Sequence, residues 1–183
     1  KSGLVDKPDV SHFRLAAHLG LAFLIISYIF SIIFELAQKE TIKLNLYPKI
    51  YNLLKIFLIV LSLQIVYGAF VAGLDAGLGY NTFPKMGSQW LPRAALSGGS
   101  VILNLVENNA MIQFIHRSIG WVLFFLAVNL LYKSRIVFNP IQKRSLIYVV
   151  AMVIIQFLLG VSGHTTADDH KIVGLYYWLG VEV

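Results

Sequence analysis

The chain has 183 residues, 57% of them hydrophobic and 13% charged, with no cysteine, a formal net charge of +6 and a mean hydropathy of +0.72. The absence of thiols excludes disulfides, thiolate catalysis and cysteine-ligated clusters, and so apolar a chain has lipid as its main solvent. The positive charge would point to nucleic acid on a soluble chain, but here it must be read together with where the basic residues sit.

The chain opens on the polar segment Lys1–Asp9. This lacks a charged n-region followed by a short apolar core and cleavage site, and it reads as cut from something longer. Pro8 and Ser11 precede a first apolar stretch, for which Ser11 is the expected N-cap. Crossing the hydrocarbon takes about 20 apolar helical residues. Four stretches are long enough: Leu15 to Phe34, Ile56 to Leu74, Ala110 to Tyr132 and Ser145 to Gly163. Three of them hold no Asp, Glu, Lys or Arg, and the third holds Arg117 alone, near its start. The expected fold is therefore an all-α, polytopic transmembrane helical bundle.

The connection from Gln38 to Asn52 is polar and basic, with Pro48 expected as a breaker. The second span ends in Gly68-Ala69-Phe70-Val71-Ala72-Gly73-Leu74-Asp75-Ala76-Gly77, whose small residues Gly68, Ala69, Ala72 and Gly73 permit close helix approach. The connection from Asp75 to Asn109 is too long for a simple turn. It contains Asn81-Thr82-Phe83-Pro84-Lys85-Met86-Gly87, then Trp90, Pro92 and the Gly98-Gly99 pair. Turn chemistry accounts for its prolines and glycines. Phe83, Met86 and Trp90 are candidates for covering an apolar ligand edge, and a place in an interfacial aromatic belt is the alternative for Trp90.

The basic residues set the orientation. Lys39, Lys43, Lys49 and Lys55 fall in or beside the first connection and Lys133, Arg135, Lys143 and Arg144 in or beside the third, eight of fifteen on one side. By the positive-inside rule these connections face the cytoplasm or matrix, and residues 1–14, the 75–109 connection and the C-terminus lie outside. The basic balance thus follows from membrane topology, and no nucleic-acid partner is expected.

Two histidines sit inside the spans. His18 lies seventeen residues before Glu35 and His116 seventeen before Lys133, the first charged residue at each far end. At about 1.5 Å of rise per residue, both rings lie about 25 Å from the same boundary. An imidazole at membrane depth requires a partner, and two at one level point to a shared kind of cofactor, an iron porphyrin. Arg14 precedes His18 by four residues and projects from the same face, where a guanidinium can meet a propionate. Arg117 follows His116 directly, and Gly120, four residues on, leaves room for a flat macrocycle. The alternative is a histidine bonded to a neighbouring carbonyl and a snorkelling arginine. His12 is expected at the interface without a role.

Residues 162–183 form an atypical tail. His164, Asp168, Asp169 and His170 resemble a metal cluster only in composition; they suit a solvated loop, and no metal is expected there. The twelve-residue apolar end is too short to span.

Four ordered motifs, Val10 to Leu19, Gly68 to Gly77, Asn81 to Gly87 and Gln113-Phe114-Ile115-His116-Arg117, together resemble the haem A synthase family in its cysteine-free form of alphaproteobacteria and mitochondria. The resemblance covers residues 1–161. It implies an eight-helix protein of two pseudo-symmetric four-helix halves, oxidising the C8 methyl of haem O to the formyl group of haem A for cytochrome oxidase assembly. This chain would then contain helices four to seven, the end of one half and the first three helices of the other. His18 would be an axial ligand for substrate haem O in the N-terminal half, and His116 an axial ligand of haem b in the C-terminal half, with Arg14 and Arg117 beside them. The compartment implied is the bacterial plasma membrane, or the mitochondrial inner membrane in a eukaryote. Haem O synthase, oxidase assembly factors and further copies of the chain are candidate partners, and the electron donor is left open.

Two departures from the family pattern matter. The N-terminal half of the family carries a glutamate three residues before its second-helix histidine, but the matching position before His116 is Gln113. An amide cannot serve as a general base, so no catalytic residue is expected within this chain. The tail after Val161 also departs from the family's eighth helix, which leaves the partner of His116 open. The other readings are a b-type cytochrome subunit that only carries electrons and a transporter or assembly scaffold without a cofactor. The topology is open to test: in the whole protein, cysteines placed in the 36–52 and 134–143 connections should be protected from impermeant reagents applied outside, whereas one at Ser88 should react. Labelling in the opposite sense would remove the shared outer placement of His18 and His116.

Overall fold

The computed structural model describes residues 11–37, 48–138 and 140–165, with side chains through Ser162 in the last segment. The architecture is all-helical: α1 (His12–Ala37), α2 (Pro48–Gly73), α3 (Val101–Glu107), α4 (Asn109–Val137) and α5 (Pro140–Thr165), with 3-10 turns at Ala76–Leu78 and Arg93–Leu96. Four of the helices, α1, α2, α4 and α5, are long and apolar enough to cross a membrane, and the chain is a multi-pass membrane protein. They lie within about a turn of the expected spans, except at the start of α2. Pro48 does not break structure there. It opens the helix, where its fixed φ suits the first turn and its missing N–H is no loss. Lys49, Asn52 and Lys55 thereby join α2 rather than a connection. The residues between α1 and α2, including Lys39 and Lys43, lie outside those described, as do Asp168, Asp169 and His170.

The helices pack in the order α1 on α2, α2 on α4 and α4 on α5. The apolar core is made by Leu53 and Phe57 of α2, Leu123, Ala127 and Leu130 of α4, and Leu146 and Val150 of α5. Its long exposed rim, with Phe23, Leu24 and Phe30 on α1 and Tyr148, Met152 and Leu158 on α5, is the surface expected of helices bathed in lipid. Between such helices close contact matters more than the removal of apolar surface from water. Gly73 shows how it is obtained: a Cβ there would lie 2.8 Å from both Cα and Cβ of His12. The same contact seats the His12 ring edge-on against Phe70, with centroids 5.2 Å apart. Ser11 stands just before α1 as expected, its carbonyl accepting from the Leu15 amide at 3.0 Å.

The 75–109 connection is ordered by short-range bonds. Asn104, almost fully buried, accepts from the Gly98 amide at 3.0 Å and donates to the Gly98 carbonyl at 3.3 Å. Asn108 caps α4, accepting from the Met111 amide at 3.1 Å. Asp75 and Gly87 take positive φ, and the Phe83–Pro84 bond is cis.

The contact at Gly73 is backbone against helix, so it cannot relax by turning a side chain. Gly73→Ala should therefore lower stability by about 1–3 kcal/mol, the usual range for overpacking, as read from thermal unfolding in detergent. Gly20→Ala is the matched control, because nothing lies within 4 Å of a Cβ there. Equal stability of the two variants would mean that α1 and α2 are not in this close register.

Candidate functional site

Each of the sequence-marked residues acquires a definite place. Arg14 and His18 are exposed on α1. His116 is half-buried on α4 and faces α2. The two histidines therefore belong to different surfaces, one open and one enclosed between helices, and the four residues do not converge on one cavity.

The surroundings of His116 are built from three positions. Gly68 of α2 leaves a gap beside the ring, where a Cβ would come within 3.3 Å of Cε1. Gln64, four residues earlier on the same face of α2, puts its amide nitrogen 3.3 Å from His116 Nε2. Gly120 of α4 lies beside the same amide, where a Cβ would stand at an ordinary contact distance of 3.5 Å from its nitrogen. The head of Gln64 is thus the neighbour of the position expected to leave room for a macrocycle. Gln64 escaped the sequence reading. Its signal was a lone amide in an otherwise apolar span, one turn before a glycine.

Arg117 turns away from this gap toward the outer connection. Its guanidinium donates to the carbonyls of Tyr80 at 2.6 Å, Thr82 at 2.7 Å and Lys85 at 3.4 Å. Gln113, 1% exposed, donates to the carbonyls of Gly77 at 3.2 Å and Tyr80 at 3.1 Å. Asn109 donates to the Leu74 carbonyl at 3.0 Å. Asn109, Gln113 and Arg117 recur every fourth residue, so one stripe of α4 supplies donors along the length of the connection. The stripe continues to Trp121, on which Phe83 stacks with centroids 5.8 Å apart; Phe157 of α5 meets both rings.

The Asn81–Gly87 motif is the part so gripped. Thr82 Oγ1 donates to the Lys85 carbonyl at 2.8 Å and accepts from the Gly87 amide at 2.6 Å, closing the turn on itself. Met86, 2% exposed, is pinned beneath it by paired backbone bonds with Gln89. Of the three residues offered as a cover for a ligand edge, Phe83 and Met86 are packed inward. Trp90 is 64% exposed and stands near the Lys85 ammonium, 5.9 Å from its ring centroid, as a belt residue would. Among the described residues, no group of three or more His, Asp or Glu is placed to hold a metal ion.

The chain matches a family model described as cytochrome oxidase assembly protein over residues 1–167. It is 44% identical over 166 residues to the haem A synthase of Wolbachia pipientis wMel, covering 88% of this chain and 45% of that protein. It is 42% identical over 164 residues to the haem A synthase of Wolbachia sp. subsp. Brugia malayi (strain TRS), covering 88% and 47%, and 37% identical over 164 residues to that of Flavobacterium johnsoniae, covering 88% and 48%. The chain thus spans about half the length of the curated relatives it matches. No solved structure matches it. A match over nearly the whole chain, carried through the spans that hold His18 and His116, has one meaning: the chain belongs to the cytochrome oxidase assembly protein family, that of the haem A synthases.

Proposed function

We propose that the whole protein is a haem A synthase of the bacterial plasma membrane, oxidising the C8 methyl of haem O to the formyl group of haem A. In this reading the chain would supply one histidine to hold each of two haems. The observation that carries it is the setting of His116: an imidazole two turns into α4, beside Gly68 of a second membrane-length helix, with a polar residue already directed at its outer nitrogen. Such a ring has the donor chemistry of a haem ligand, and the missing side chain at Gly68 gives it space that an ordinary core histidine does not need. His18, the imidazole within the span α1, is assigned the second role.

His116 would hold haem b, and His18, with Arg14 one turn nearer the outside, would hold substrate haem O. The haem, when bound, supplies the redox chemistry of its iron. The chain's own residues supply position and exclusion of water. Arg117 and Gln113 keep the 77–85 segment bonded to α4, and Phe83 seals it against Trp121 and Phe157. Residues 14–22 and 112–120 contain no Asp or Glu, so neither histidine has a carboxylate within a helical turn of sequence. Gln113 holds the place of one, and its N–H groups face carbonyls. This half is accordingly assigned electron transfer, and the methyl oxidation belongs with the glutamate of the other half.

A visible spectrum of the purified whole protein, oxidised and reduced, with extraction of the porphyrin, tests the assignment. His116→Ala should remove a low-spin haem b signal and His18→Ala should impair substrate-haem binding, each by the loss of one axial ligand. Wild-type haem content and spectra in both variants would sink it, and a protein with no haem absorption would favour the scaffold reading.

Gln113 separates the two halves. Gln113→Ala should leave haem A formation largely intact and shift the haem b potential modestly. Gln113→Glu, whose carboxylate would face the Gly77 and Tyr80 carbonyls without a proton to donate, should release the outer connection and raise its protease sensitivity. Should Gln113→Ala stop haem A production while haem b stayed bound and reducible, the chemistry would have to be placed in this half.

A further inference from the structure

The nitrogen of His116 that would bind iron is already engaged. Nε2 is the ring nitrogen farther from the backbone, and the Gln64 amide lies 3.3 Å from it. The contact is built rather than incidental, since two positions one turn apart on α2 create it. Gly68 lets α2 approach the ring, because a Cβ there would come within 3.3 Å of Cε1, and Gln64 brings its amide to Nε2. The other end of the amide is poorly served: Gln64 Oε1 is buried and has no hydrogen-bond partner among the described residues. A buried amide in this state gains from its one contact and is weakly held by anything else.

A neutral imidazole nitrogen either carries a proton or offers a single lone pair. Whichever way the Gln64 amide is turned, donating to the lone pair or accepting from N–H, its bond to Nε2 and a bond from Nε2 to iron exclude each other. Resting on the reading of His116 as a haem ligand, we infer that Gln64 is a placeholder for iron. It satisfies His116 Nε2 at membrane depth in protein without haem, and it gives that nitrogen up when haem binds. The role is that of a positioning residue: Gln64 keeps the ring turned into the Gly68 gap and sets how readily the ligand nitrogen is released.

The test is a haem b titration of the whole protein prepared without haem, in a His18→Ala background so that one site is read. Gln64→Leu removes the competing bond and keeps most of the side-chain volume. It should tighten haem binding about threefold to tenfold, the factor that a typical net hydrogen bond corresponds to, and lower the melting temperature of the haem-free protein. Gln64→Glu should act in the opposite direction. Its carboxylate holds the imidazole N–H more firmly than an amide does and should weaken binding tenfold or more. Both variants should show the wild-type spectrum once saturated, because Gln64 is not itself a ligand. Unchanged or weakened binding by Gln64→Leu, or unchanged binding by Gln64→Glu, would overturn the placeholder role while leaving His116 as the ligand. Wild-type binding and spectrum in His116→Ala would overturn the ligand assignment and the placeholder with it.

Discussion

A carbonyl carried to the level of a membrane-spanning helix meets no water there, so it must find a donor in the protein or stay outside. The connection after α2 descends to the level of Arg117, two turns into α4, and brings five carbonyls with it: those of Leu74, Gly77, Tyr80, Thr82 and Lys85. The stripe of Asn109, Gln113 and Arg117 answers all five. Hydrogen bonds from a charged donor contribute about 1.5–3 kcal/mol each, and a buried group left unbonded loses a similar amount, so the path of the connection is tied to this stripe more firmly than its apolar contacts could tie it. The stacking of Phe83 on Trp121 and its edge contact with Phe157 follow from that path, and through Phe157 the connection reaches α5. The end of the bundle at the 75–109 connection is in this sense organised by polar groups and the other end by the apolar core around Phe57, Ala127 and Leu130.

Much of this was legible beforehand, for identifiable reasons. A run of twenty apolar residues leaves a chain few options besides a membrane helix, and the ends of α1, α4 and α5 fell close to the composition changes that mark them. The start of α2 did not, because Pro48 reads equally as a stop or as a first residue, and only the burial of Ile50, Leu53 and Phe57 decides between them. The helix α3 and the 3-10 turns were hidden for a different reason: each is shorter than the window over which periodicity can be read. At the site, the histidines stood out because titratable groups are rare in lipid, whereas Gln64, uncharged and surrounded by leucine and isoleucine, did not. Arg117 stood out as the one charge within its span, but its bonds to the Tyr80 and Thr82 carbonyls were not legible, because they join residues more than thirty positions apart.

The two histidines lie in unlike surroundings. Among the described residues His18 is exposed on α1, while His116 lies between α2 and α4 with a bonded side chain at its outer nitrogen. Under the proposed function the enclosure of His116 has a use. A resident electron carrier gains from enclosure, which fixes ligand geometry and holds the surrounding dielectric constant low.

The shortness of the link between α4 and α5 reaches beyond packing. Val137 closes one helix and Pro140 opens the next, so the two can only lie antiparallel and side by side. Lys133, Arg135, Lys143 and Arg144 are thereby gathered at the tip of a single helical hairpin. By the positive-inside rule, positive charge gathered at one bend favours keeping that bend on the side of synthesis. The span that holds His116 is thereby joined directly to the helix that packs against it, and one bend biases the orientation of both.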